Sequence, residues 1–159
     1  LQKGGGHKMA GGFTLKKENI SKFKNFLIKN FERSNTNASN NINLYLDSKI
    51  AASALNEEFF DEINCLAPFG SGNSEPKFVI ENIKVISTNI VGNNHIKSIL
   101  SGKDGSVFKG FVWNGKNSSL EPFLNKNNKK QINIAGKMRL NEWRGKKDVE
   151  FVIEDISLD

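Results

Sequence analysis

A chain of 159 residues with 37% hydrophobic and 25% charged side chains has room for one domain or two small ones and the balance of a soluble globular protein. No apolar run approaches the ~20 residues that span a bilayer, no signal peptide opens the chain, and the single Cys65 excludes an internal disulfide, in keeping with a reducing cytoplasm. The net charge of +6 favours a polyanion through phosphate contacts, although Lys- and Asn-rich proteins carry such charge without that role.

Gly4-Gly5-Gly6-His7-Lys8-Met9-Ala10-Gly11-Gly12-Phe13 comes first. Its glycines let the backbone turn sharply and approach a ligand closely, exposing N–H groups that can cradle a phosphate. His7 and Lys8 would add side-chain donors, while a solvated His at a frayed end explains His7 equally well. The spacing is not that of a P-loop. Five glycines in nine residues and a terminal position predict mobility over residues 1–12. Phe13 to Leu15 reads as a short strand. From Glu18 to Arg33, the residues Ile20, Phe23, Leu27 and Phe31 form one face of an amphipathic helix. Ser34 to Asn41 is a polar loop, and Ile42, Leu44 and Leu46 alternate as a half-buried strand. Asn56 can cap a second helix, Glu57 to Leu66, with Leu55, Phe59 or Phe60, and Ile63 facing inward. Cys65, beside this apolar run, reads as a buried structural thiol.

Pro68, Gly70, Gly72 and Pro76 then break regular structure; Phe69 and Phe78 at either end point to a packed corner, while composition alone favours an ordinary Pro/Gly loop. Beyond it the rhythm is that of strands: Phe78 to Val91, His95 to Leu100, Val107 to Trp113, Gln131 to Leu140 and Asp148 to Ile156. A short helix, Ser119 to Asn125, interrupts them, and Asn141 to Lys147 joins the last two. Three strands, a helix and two further strands is the order of an OB-fold barrel.

Metal-assisted phosphodiester hydrolysis needs carboxylates and His residues converging on Mg²⁺ or Mn²⁺. Here His7 and His95 stand far apart and the acids are scattered, so the chain alone is expected to be inactive and to hold no metal. Binding is better supported, because single-strand binders combine basic grooves with aromatic platforms. Trp143 stands with Arg144, Lys146 and Lys147 in a polar turn, where exposure is expected. Lys109, Phe111 and Trp113 alternate on one face of the third strand, and Arg139 ends the fourth. Phe111 and Trp113 fit barrel core and binding face equally.

Three of these stretches carry a resemblance. LAPFGSGNSEPKF, residues 66–78, resembles the LxPFGxGNPEPxF connector of the RecJ family of single-strand-specific 5′→3′ DNA exonucleases in the DHH phosphoesterase superfamily, with Ser74 where the family has proline. GGGHKMAGGF resembles the GGGHxxAAGF motif of the DHH-associated domain, with Gly11 in place of the second Ala. NEWRGKKDVEFVIEDI, residues 141–156, resembles the closing OB hairpin of the same family.

The resemblance implies an α+β chain: the end of a DHH-associated domain and a connecting helix over 1–66, a connector over 67–78, and a five-stranded OB barrel over 79–159. It implies that the chain is part of a longer cytoplasmic enzyme that removes nucleotides from 5′ ends of single-stranded DNA in repair and recombination. The catalytic Mg²⁺ or Mn²⁺ would belong to a DHH domain outside this chain. Gly4, Gly5, Gly6 and His7 would contact the substrate phosphate or sugar, and the barrel would grip the strand further along. Partners would be single-stranded DNA, with a single-strand-binding protein or a repair helicase as protein candidates, and no membrane. Two alternatives stay open: the OB-fold as a protein-interaction or structural module, and a related phosphodiesterase acting on short oligonucleotides or cyclic dinucleotides. The connector and hairpin argue against the second.

Overall fold

The computed structural model describes residues 2–7, 10–34, 43–125 and 130–158, except the side chains of Glu32, Arg33, Ser34 and Trp143. The chain divides into two compact units, Leu1–Asn43 and Leu44–Asp159.

In the first unit, β1 (Lys3–His7) and β2 (Ala10–Thr14) form an antiparallel hairpin in which Gly5 faces Gly12 and Gly4 faces Phe13. The strand expected at Phe13 to Leu15 thus starts earlier, and the glycines before it are strand rather than open loop. Glycine weakens a strand but does not forbid one when the ladder is antiparallel and solvated. After a single 3₁₀ turn, Lys17–Asn19, helix α1 runs from Ile20 to Ser34. Phe13 meets Phe23 edge-on, with centroids 4.7 Å apart. Phe23 is half-buried, whereas Ile20, Leu27 and Phe31 of the same stripe stay exposed. The Asn-rich stretch and Ile42 lie outside the described residues.

The second unit holds the core. No strand forms at Leu44 and Leu46; these side chains instead line a shallow groove with Val79, Ile134 and Ile156. Asp47 takes the place of a ladder, its N–H donating to the Lys77 carbonyl and its Oδ2 accepting from the Lys77 N–H, both at 2.8 Å. The two-residue strand β3 (Ser48–Lys49) follows, parallel to the start of the next strand. Helix α2 (Glu57–Asn64) begins as expected, with the Asn56 side chain accepting from the Phe59 N–H at 2.9 Å and Glu57 and Glu58 in the first turn. Phe59, Phe60 and Ile63 pack against the barrel core, the Phe59 ring 5.9 Å from that of Phe78. Cys65 is exposed, not buried: two residues beyond Ile63 it turns away from the inward stripe.

The connector is a packed corner. Asn73 pairs with Gly70 through backbone bonds in both directions, and its side-chain Nδ2 donates to the carbonyls of Leu66 at 2.9 Å and Pro68 at 3.0 Å. Phe69, Pro76 and Phe78 line a small cavity with Phe60, Ile63 and Met138. This corner and α2 fall within the second unit.

The barrel strands are β4 (Phe78–Val91), β5 (His95–Ser101), β6 (Val107–Val112), β7 (Ile132–Trp143) and β8 (Lys146–Leu158). Their order β4-β5-β6-β8-β7 closes on itself, because the first half of β4 pairs with β7 and its second half with β5. Strands β6 and β8 run parallel, and the other barrel pairs are antiparallel. This is the closed five-stranded topology of an OB-fold. Alternation sends Ile80, Ile96, Leu100, Phe108, Ile134 and Phe151 inward, each 6% exposed or less. At Gly136 the β7–β8 register shifts, and a Cβ there would stand 1.9 Å from the Val152 carbonyl oxygen. The helix expected at Ser119 to Asn125 is one 3₁₀ turn, Glu121–Leu124, which inserts a fully buried Leu124.

The segment Asn141 to Lys147 is not a loop. The ladder continues to Trp143 opposite Lys146, and Arg144-Gly145 makes a two-residue turn with φ of +52° and +74°. Two consecutive positive φ values match the twist of a hairpin, so the strands extend to the tip.

Candidate nucleic-acid interface

The outer face of β5, β6, β8 and β7 gathers most of the polar side chains singled out in the sequence. Lys97 faces Phe111 across β5–β6, Lys109 stands beside Glu150 and Phe111 beside Val152 across β6–β8, and Arg139 faces Glu150 across β7–β8. Arg139 therefore reaches over β8 toward the aromatic side chains at the end of β6. Its guanidinium carbon lies 4.6 Å from the Phe111 centroid and 5.1 Å from that of Trp113. Phe111 and Trp113 meet edge-on at 4.7 Å, and His95 adds a third ring 4.8 Å from Trp113 and 5.6 Å from Phe111. Phe111 is covered by this cluster, at 8% exposure, yet stands outside the barrel core. Trp113 is 54% exposed. Both belong to the outer face, so neither fills the barrel.

Glu150 holds this cluster from beneath. It is 1% exposed; Oε1 accepts from Lys97 Nζ at 2.8 Å and Oε2 from Arg139 Nη2 at 2.6 Å. Burial pushes its carboxyl upward, but the hydrogen bonds and charges of Lys97 and Arg139 outweigh that and hold it below the usual range. His95 is fixed from the other side, its Nδ1 accepting from the Asn114 N–H at 3.0 Å.

Phe111, Trp113 and Arg139 thus come together, with Lys109 on the same face in an ion pair with Asp148. Lys146 and Lys147 are exposed at the far end of the β7–β8 hairpin, and Arg144 forms its turn. The Trp143 side chain lies outside the described residues, so its expected exposure stands as an expectation. Gly4, Gly5, Gly6 and His7 form β1 of the first unit, all exposed. Sequence reasoning missed His95, Lys97 and Glu150. The available signal was parity: Glu150 stands between inward Val149 and Phe151, and His95 and Lys97 bracket inward Ile96.

Among the described residues no three His, Cys, Asp or Glu side chains group closely enough to hold a metal ion. No described helix is long and apolar enough to cross a membrane.

The family model for the RecJ OB domain matches residues 46–155. The single-stranded-DNA-specific exonuclease RecJ of Haemophilus influenzae is 26% identical over 158 residues, covering 98% of this chain and 27% of that protein. RecJ of Bacillus subtilis is 26% identical over 157 residues, covering 97% of this chain and 19% of that protein. Crystal structures of Thermus thermophilus RecJ in complex with Mn²⁺ and with Mg²⁺ match with TM-scores of 0.66 and 0.61, each at 21% identity. They cover 100% and 98% of this chain and 22% and 23% of those chains, and they share its fold. The chain spans about a fifth to a quarter of the length of these relatives.

Proposed function

We propose, for a chain that belongs to the RecJ OB domain family, that the outer barrel face binds single-stranded DNA and positions it for a RecJ-like exonuclease. The observation that carries this reading is the Phe111–Trp113–Arg139 cluster, with a half-exposed indole on the face of the barrel's second and third strands. Every base has a π-face, so one exposed indole backed by a guanidinium stacks bases without regard to sequence, at about 1–3 kcal/mol per base.

The charge on this face refines the mode of binding. Lys97, Lys109, Lys137 and Arg139 are all paired with carboxylates. Phosphate contacts then fall to the exposed Lys146 and Lys147 at the hairpin tip. Phe111, beside Trp113, pairs with Val152, five residues along β8 from Lys147, a distance of about 17 Å. A strand of several nucleotides spans it, within the range of OB-fold sites.

In the intact protein the activity is removal of nucleotides from 5′ ends of single-stranded DNA during repair and recombination in the cytoplasm. Mg²⁺ or Mn²⁺ would be held by a DHH domain outside this chain, and the Thermus structures carry those ions. Gly4, Gly5, Gly6 and His7 would contact the substrate phosphate there. A single-strand-binding protein or a repair helicase would be the protein partner.

The test is titration of fluorescently labelled dT₁₂ against the chain at rising salt. With two phosphates neutralised, log K is expected to fall with a slope of about −1.4 in log[salt]. Absence of binding at low salt would overturn the reading.

A further inference from the structure

Beside Trp113 an open groove of ≈460 Å³ runs over β8 and β7 toward the connector. Its apolar lining includes Trp113, Met138 and Phe60, and its charged lining is Glu154, Lys137, Glu75 and Arg139. The β6–β8 ladder ends where Phe111 pairs with Val152, and two residues further along each chain Trp113 and Glu154 line this groove together. The polar groups are ordered: Lys77 Nζ holds Glu154 Oε2 at 2.7 Å, Lys137 Nζ holds Glu75 Oε2 at 3.1 Å, and Lys137 stands 3.8 Å from Glu154 Oε1.

We infer that this groove is a base-reading subsite selective for guanine; the inference rests on the reading of Trp113 as a stacking platform. A base stacked on the indole turns its edge toward a carboxylate with an ammonium beside it. Each carboxylate oxygen accepts more than one hydrogen bond and a lysine donates three, so the existing pairs leave capacity on both. Guanine's Watson–Crick edge carries two adjacent donors, N1–H and N2–H, followed by the O6 acceptor. The donors match the two oxygens of Glu154, and O6 matches Lys137 Nζ. Thymine offers one donor between two acceptors, which would face the carboxylate with like polarity. Cytosine and adenine each offer one amino group to it and fall between. The stack supplies affinity for any base, and Glu154 with Lys137 supplies the choice among bases.

The experiment measures affinity of the 159-residue chain for labelled dT₁₂ and for the same oligonucleotide with one central dG, dI, dC or dA. A single dG is expected to tighten binding about tenfold, in the range of a bidentate side-chain–base contact. Deoxyinosine, which lacks the N2 amino group, is expected to lose most of that gain. Glu154→Gln is expected to bring the dG-to-dT ratio near one. Equal affinity of the wild-type chain for dT₁₂ and the dG oligonucleotide overturns the guanine subsite and leaves the stacking platform standing. No binding to either overturns both.

Discussion

Arg139 and Glu150 meet at 2.6 Å on the outside of the barrel, one from β7 and the other nearly buried in β8. The contact ties the guanidinium to the barrel while its carbon lies over Phe111 and Trp113. A flexible arginine is thereby ordered before any ligand arrives, and the entropy of ordering it is spent in folding rather than in binding.

Trp113→Ala removes the exposed indole. Affinity for dT₁₂ is expected to fall about tenfold or more, at the 1–3 kcal/mol of a stacked base, with only a modest drop in melting temperature because about half of the side chain is already exposed. Trp113→Phe keeps a ring and is expected to retain most of the affinity. Fluorescence anisotropy and calorimetry check this, and unchanged affinity in Trp113→Ala would favour the protein-interaction role instead.

Glu150→Ala leaves Lys97 and Arg139 without their shared acceptor. Breaking such a pair costs about 3 kcal/mol, toward the lower end for buried pairs because both cations are about a third exposed and gain water. Chemical denaturation measures the loss. Glu150→Gln, which keeps the shape, is expected to cost less and still to weaken dT₁₂ binding by loosening Arg139.

Acid should act through the same carboxylate. Glu150 titrates lower in the folded chain than in the unfolded one, so the stability it contributes is fully present above the ordinary glutamate range, near ~4.3, and is lost as pH falls from there through the lowered value. Asp104, lowered by backbone hydrogen bonds from Ser106 and Ser53, adds to the loss with the same sign. Melting curves between pH 7 and 3 are expected to show the decline, and Glu150→Gln to flatten it.

Lys146→Ala with Lys147→Ala removes two exposed cations at the tip of the hairpin. Binding is expected to weaken alike for all sequences, and the salt slope to move toward zero by about 1.4.

Gly136→Ala puts a methyl group against the Val152 carbonyl oxygen at a register shift of the closing hairpin. The β7–β8 backbone must part to admit it, a cost of about 3 kcal/mol. Thermal unfolding followed by circular dichroism reports it.

The barrel was legible because period-2 alternation in Phe78–Val91 and Asp148–Ile156 survives into the structure as inward and outward faces. The hairpin tip was not, because Asn141–Lys147 is polar apart from Trp143, and only the Arg144-Gly145 pair signals a tight turn. Leu44 and Leu46 alternate like a strand, but Asp47 takes the backbone bonds at Lys77 that a ladder would need. Of the site, Trp113 and Arg139 were visible as residue types; their meeting depends on pairing between β6, β8 and β7, which local sequence does not encode. Glu150 stayed hidden because a charged residue between two apolar ones reads as solvent-facing, whereas here its neighbours across the sheet cover it.

Strand β8 sits between β6 and β7, although it is the last of the five to be made. Until it leaves the ribosome, β6 has no neighbour on that side and the hydrophobic interior stays open to water. Assembly of this barrel therefore waits for the last of its five strands, and a nascent chain arrested before Asp148 would expose the very surface that chaperones recognise.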